Sequence, residues 1–329
     1  MPWRALPGEL PDPYRIWLSE IMLQQTTVTA VIPYYERFLR RFSTVEALAA
    51  AEDGAVMEVW AGLGYYARAR NLLACARRVA AAGRFPPDVA GLRALPGIGE
   101  YTAAAIASIA FGVPVVPVDG NVERVAARIF AIEDPLPGAR RVVAAAAARL
   151  GLDSAAQARP ADFTQALFDL GATVCTPRAP ACAICPWMAG CQARALGLAE
   201  TLPRKTPKPA RPTRHGAQFW LMDAADQVLL RRRPPEGLLG GMLELPGAPW
   251  RSEPWPLPDA LAHAPQPAEW RLMGQATHGF THFALTMDVY AARVERITAD
   301  GLLRDAGALA GEALPTVMRR CVQVAMGAA

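Results

Sequence analysis

Four cysteines close in sequence, Cys175, Cys182, Cys185 and Cys191 in the spacing C-x6-C-x2-C-x5-C, restrict the fold more than any other feature of the chain. Thiolates so spaced converge readily on one centre, and three centres fit: a four-iron cluster, a zinc ion or disulfides. Disulfides require an oxidising compartment, and Met1 to Leu10 show no basic, apolar and small-residue leader pattern. Structural zinc usually draws on two close pairs of ligands, whereas only Cys182 and Cys185 form a CxxC. Spacing alone favours the cluster and leaves zinc open. Cys75 and Cys321 stand apart and read as buried small apolar residues.

A length of 329 residues implies two domains at about 100 to 200 residues each. Hydrophobic residues make up 52% of the chain, enough for two cores. No apolar run reaches the roughly 18 residues of a membrane span, so the expectation is a soluble, cytoplasmic protein without membrane contact, and it is expected to be a monomer. The formal net charge of +4 permits a nucleic-acid partner without demanding one. Arginine supplies nearly all the positive charge, because Lys205 and Lys208 are the only lysines.

Residues 201–213, TLPRKTPKPARPT, are proline-rich and lack apolar periodicity, the composition of an extended linker. Before it, helical spacing or strong helix formers mark Ile16 to Gln25, Val45 to Ala50, Ala55 to Trp60, Arg70 to Ala82, Tyr101 to Phe111, Val122 to Ile132, Arg140 to Leu150 and Asp162 to Val174. After it, Phe219 to Met222, Val228 to Arg231 and His282 to Tyr290 read as strands. The expected architecture is an all-α domain over residues 1–200, a linker, and an α+β domain over 214–329.

Leu95-Pro96-Gly97-Ile98-Gly99 lies between a short helix, Asp88 to Ala94, and the long helix beginning near Glu100. Two glycines around one apolar residue let a tight turn present bare N–H groups, and the following helix adds its positive end. Such a turn grips a phosphate; standing alone it reads more simply as a helix-to-helix turn.

The strings LPGIGxxTA, VDGNV and the cysteine quartet together resemble the helix-hairpin-helix DNA glycosylases that carry an iron-sulfur cluster. PWR at Pro2 to Arg4, WLSEIMLQQT at Trp17 to Thr26 and GLGYYARARNL at Gly62 to Leu72 are similar to the adenine DNA glycosylases of the MutY type. The resemblance covers nearly the whole chain. It implies a base excision repair enzyme that removes adenine from A:8-oxoguanine or A:G mispairs in double-stranded DNA. The four cysteines are then the ligands of a [4Fe-4S] cluster, bracing the loop from Cys185 to Cys191 and placing Arg178 and Arg194 near DNA phosphates. Gly97 and Gly99 become DNA-contacting residues.

Two carboxyl groups carry the implied chemistry. Glu20 sits in a helix expected to be capped by Asp12 with Pro13 in first position, among Ile16, Trp17, Leu23 and Gln24. Without the resemblance it reads as a glutamate at the edge of an amphipathic helix. With it, Glu20 is the desolvated acid that protonates N7 of adenine. Asp119 is expected to cap the next helix, and the resemblance adds stabilisation of the cationic sugar, by charge or a transient covalent bond. By matching position, Tyr101 and Asn121 partner the two carboxyls. Trp3, Arg4 and Gln165 line the pocket of the extruded base, and Leu23, Gln25 and Tyr65 resemble residues that wedge into the duplex. Tyr66 reads as core packing.

At position 101 endonuclease III, a related bifunctional enzyme, carries a lysine that forms a Schiff base. Here the residue is Tyr101, and residues 1–200 contain no lysine. A monofunctional glycosylase is expected, with an endonuclease III-like lyase and a non-enzymatic cluster protein as rivals.

The C-terminal part resembles the Nudix-like domain with which adenine glycosylases recognise 8-oxoguanine. A working Nudix hydrolase needs an R-E-x-x-E-E type carboxylate cluster for magnesium. After Glu244 this chain runs LPGAPWRSEPWP, which implies a reader and not a hydrolase. Its reading element is Phe280-Thr281-His282, where the family usually has serine in the middle; threonine keeps the hydroxyl and adds a methyl. Family members usually carry about 20 residues ahead of PWR, forming a helix. The chain begins at Met1-Pro2-Trp3, so the expectation is a start placed further upstream or a domain lacking that helix.

Overall fold

The computed structural model describes every residue except 7, 8, 208, 209, 235, 313, 328 and 329. Two compact units result, one formed by Met1–Ala51 with Asn71–Lys208 and the other by Glu52–Arg70 with Pro209–Ala329. Two positions of the expected linker, 208 and 209, lie outside the described residues.

The helices of the N-terminal part are α1 (Pro13–Leu23), α2 (Val28–Arg41), α3 (Val45–Ala49), α4 (Asp53–Trp60), α5 (Ala67–Ala82), α6 (Val89–Arg93), α7 (Glu100–Phe111), α8 (Gly120–Ile129), α9 (Arg140–Leu150), α10 (Ser154–Ala158), α11 (Pro160–Asp169) and α12 (Gln192–Ala195). Asp12 caps α1 by accepting from the Tyr14 N–H, and Pro13 opens it, as the sequence predicts. The centre of the first unit is α7, buried from Thr102 to Ile109, with α1, α6 and α11 packed around it. Its alanines allow close approach of those neighbours.

The sequence reading does not mark α2, which carries Pro33 inside it. The helix nevertheless forms, because Val31, Tyr35 and Phe38 bury one face and that packing outweighs a lost backbone hydrogen bond. The predicted helix Asp162 to Val174 begins at Pro160 and loosens after Asp169 into a π-helical turn, Leu170–Val174, that delivers the chain to Cys175.

The second unit holds a mixed sheet of β1 (Thr213–Met222), β2 (Gln227–Arg232), β3 (Leu243–Glu244), β4 (Arg271–Gly279), β5 (Ala284–Arg293) and β6 (Leu302–Asp305), with α13 (Leu257–Leu261) and α14 (Thr316–Ala325). The order is β3-β2-β1-β5-β4, with β6 also pairing β2; β1 and β5 run parallel and the other pairs antiparallel. Alternation divides the core. Trp220, Leu230 and Met287 face α14, whereas Phe219 and Tyr290 face Ala260 of α13. The first residue of β1, Thr213, is the last residue of the predicted linker. The sequence hid β4 because only Ala276 along it is buried, while Leu272 and Met273 face solvent.

Candidate active site

Glu20 projects from the buried face of α1 and is only 6% exposed. The Tyr101 hydroxyl, in the first turn of α7, donates to Glu20 Oε2 at 3.0 Å. Burial pushes the Glu20 carboxyl from 4.5 up to about 7, the Tyr101 hydrogen bond opposes that rise, and the charge of Asp119 adds to it. The Tyr101 phenol is itself driven far above its usual range, first by burial and then by Glu20 and Asp119. Tyr101 therefore stays a hydrogen-bond donor. Its ring lies 6.1 Å from Phe168.

Asp119 caps α8. Its Oδ1 accepts from the backbone N–H of Asn121 at 2.9 Å and of Val122 at 2.8 Å, and its Oδ2 accepts from Asn121 Nδ2 at 3.0 Å. Three donors leave the carboxylate little freedom to rotate. Asn121 is fixed in turn, because Arg124 Nη2 donates to its Oδ1 at 2.9 Å. The same guanidinium donates to the carbonyls of Gly171 and Cys175, both at 2.6 Å. Gly171 packs so near Asn121 that an added Cβ would stand 2.6 Å from the asparagine Cβ.

Cys175, Cys182, Cys185 and Cys191 ring one small cavity and are all free thiols. Among the described residues no three His, Cys, Asp or Glu side chains group so as to hold a metal ion. Arg128, 2% exposed, donates to Cys175 Sγ at 3.3 Å and to the carbonyls of Leu202, Thr176 and Pro177. Sequence reasoning missed Arg124 and Arg128. The readable signal was two arginines four apart on a helix whose neighbours Val122, Val125, Ala126 and Ala127 are apolar, a placement that demands partners.

Trp3 is buried edge-on against Tyr35. Arg4 makes a bidentate pair with Asp169 at 2.8 and 2.6 Å, so α11 restrains its guanidinium. Gln165 Nε2 donates back to Ala161 O on its own helix. Leu23 is half-buried at the end of α1, and Gln25 just beyond it is exposed with φ +56°. Gly97 takes φ +74° with its Cα against Asn71, and Gly99 caps α7. In the second unit Tyr65 is 49% exposed with φ +49°, and its hydroxyl lies 3.4 Å from Thr281 Oγ1. Phe280, Thr281 and His282 form the turn between β4 and β5, closed by the Phe280 N–H donating to Phe283 O at 2.8 Å. Phe280 is wedged among Trp250, His278 and Phe283, and Thr281 and His282 are exposed. No helix among the described residues is long and apolar enough to cross a membrane.

The chain is similar to known proteins. Residues 18–147 match the HhH-GPD superfamily of base excision DNA repair proteins, and residues 217–324 match the NUDIX domain. A human adenine DNA glycosylase is 35% identical over 90% of this chain, an alignment spanning 64% of the human protein's length. One from Mycolicibacterium smegmatis is 40% identical over 63% of this chain and 69% of its own length. The structure of a thermostable thymine-DNA glycosylase aligns with a TM-score of 0.51 at 29% identity, over 60% of this chain and 88% of that one. The buried acid, the helix-capping aspartate and the two-part architecture thus occur in a chain that belongs to the adenine DNA glycosylase family of helix-hairpin-helix proteins.

Proposed function

We propose that this chain is a monofunctional adenine DNA glycosylase that hydrolyses the N-glycosidic bond of adenine opposite 8-oxoguanine or guanine. The observation that carries the reading is the Glu20 carboxyl, which burial holds protonated to about pH 7. Glu20 gives its proton to N7 of the extruded base, so the electron pair of the breaking C1′–N9 bond is accepted by a neutral leaving group. Asp119, held by three N–H donors, faces the cationic sugar that remains. Water adds at C1′ and its proton returns to a carboxylate. Tyr101 occupies the position where the lyase relative has a lysine, and no other lysine lies in residues 1–200, which supports an intact strand as product.

The four thiols around one cavity support a [4Fe-4S] cluster as resident group, with Cys175, Cys182, Cys185 and Cys191 as ligands. Bound there, it would supply no substrate chemistry and would brace the loop from Cys185 to Cys191, placing Arg178 and Arg194 near DNA phosphates. The exposed Thr281 and His282, on a turn stiffened by Phe280, are the proposed readers of 8-oxoguanine. Residues 1–200, 201–213 and 214–329 are the proposed glycosylase domain, linker and reading domain.

Base release is to be followed on duplexes holding A opposite 8-oxoguanine, A opposite G, T opposite G, or thymine glycol, with Glu20→Gln as control. Adenine release abolished by the control supports the reading. Preferred release of thymine or thymine glycol, or a stoichiometric adduct trapped by borohydride, overturns it. Thr281→Ala combined with His282→Ala is expected to lower discrimination between the two adenine mispairs more than turnover on the better one.

A further inference from the structure

The turn that joins α4 to α5 carries the exposed Tyr65 on unusual backbone. Gly62 takes φ +103°, Gly64 φ +71° and Tyr65 φ +49°. Glycine adopts such angles freely, whereas a tyrosine kept there needs partners that outweigh its own preference.

One side chain supplies several of them. Arg68, in the first turn of α5, donates from Nη2 to the carbonyls of Leu63 at 3.2 Å and Gly64 at 3.3 Å. Its guanidinium lies 5.3 Å from the centre of the Trp60 ring and 5.4 Å from that of Tyr65, within reach of both ring faces. The Gly64 carbonyl also accepts from Trp60 Nε1 at 3.1 Å, and Trp60 is fully buried at the end of α4. The Arg68 N–H closes the turn on Tyr65 O at 2.8 Å. Burial pulls the Arg68 pKa down to about 10, so the group stays charged near neutral pH.

An arginine on a DNA-binding surface ordinarily reads as a phosphate contact. Arg68 is turned inward instead, with one nitrogen spent on two carbonyls and its plane beside two rings. The Tyr65 ring thus leans on a guanidinium that is anchored to a buried tryptophan. At its other end the Tyr65 hydroxyl stands 3.4 Å from Thr281 Oγ1, on the turn between β4 and β5.

We propose that Arg68 is a positioning residue: it holds Tyr65 beside the Thr281 turn and so sets how strongly the chain distinguishes 8-oxoguanine from guanine opposite adenine. The proposal rests on the reading of Tyr65 as a wedge and of Thr281 as a reader. Glu20 and Asp119 are held by other groups, Tyr101 and the N–H donors of α8, so loss of Arg68 reaches recognition and spares bond breaking.

The test uses the full-length chain and duplexes with A, or a non-cleavable adenine analogue, opposite 8-oxoguanine or G. Affinity is read on the analogue, adenine release under single turnover, and wedge insertion from 2-aminopurine fluorescence beside the lesion. Arg68→Met is expected to lower the ratio of the two affinities by about tenfold and to damp the fluorescence change, with the saturated rate on the better mispair within about threefold of wild type. Tyr65→Ala should lower the ratio similarly, and the double variant no further, because both changes disable one contact. Trp60→Phe removes only the Nε1 bond to Gly64 O and should shift the ratio in the same direction, which carries the test if Arg68→Met unfolds. A lowered ratio in Tyr65→Ala with an unchanged one in Arg68→Met and Trp60→Phe overturns the role of Arg68 alone. Additive losses in the double variant do the same, by making Arg68 a separate contact. An unchanged ratio in Tyr65→Ala overturns the wedge reading and the proposal with it.

Discussion

Replacing Glu20 by glutamine is expected to stabilise the protein at alkaline pH while removing its acid. The folded carboxyl titrates near 7 against an ordinary value of 4.5, so between those limits the native state holds a proton that the unfolded chain has released. Stability falls wherever the native state binds more protons, here as pH rises from about 4.5 through 7, and it is level above. The gap is worth about 3 kcal/mol when fully developed, and most of it develops between pH 5 and pH 8. Glutamine is uncharged at both values, keeps the shape, and still accepts from Tyr101. Urea unfolding of both proteins, followed by tryptophan fluorescence with the m-value checked for constancy, should show the variant gaining about 2 to 3 kcal/mol more over wild type at pH 8 than at pH 5. A gain that is equal at the two pH values refutes the reasoning, because Glu20 would then titrate alike folded and unfolded. In the wild type the rate of base release should decline through the same pH window as the acid loses its proton.

Asp119→Asn retains a good helix cap, so stability should stay within about 0.5 kcal/mol while single-turnover base release drops by about 10² to 10³ or more. Gly97→Ala sets a side chain at φ +74° with its Cβ 2.7 Å from that of Asn71. The variant is expected to lose about 1 to 2 kcal/mol in urea unfolding and to bind duplex more weakly at every sequence tested. Arg128→Ala strips partners from three carbonyls and the Cys175 sulfur, so iron per chain should fall in elemental analysis and stability by about 3 kcal/mol.

Glu20, Asp119 and Tyr101 stand out through strings that resemble a known family; their local settings alone read as an edge glutamate, a helix cap and a residue in the first turn after a glycine loop. Partnerships that span the chain were not legible. Arg4 with Asp169, and Arg124 with Cys175 and Gly171, join residues that no local pattern connects. The sheet was read where apolar alternation is strong, in β1, β2 and β5, and missed in β4, whose face is largely solvated and whose pairing comes from β5. At the start of β1, Thr213 falls in the linker by composition, yet it pairs with Ala284.

Gln25 and Tyr65 hold left-handed backbone without being glycine, a conformation that disfavours an ordinary side chain by about 1 to 2 kcal/mol. Both are exposed. On the wedge role that the family resemblance implies for Gln25 and Tyr65, both would meet a duplex with the backbone already bent. Insertion would then need a side-chain rotation and no refolding of a loop.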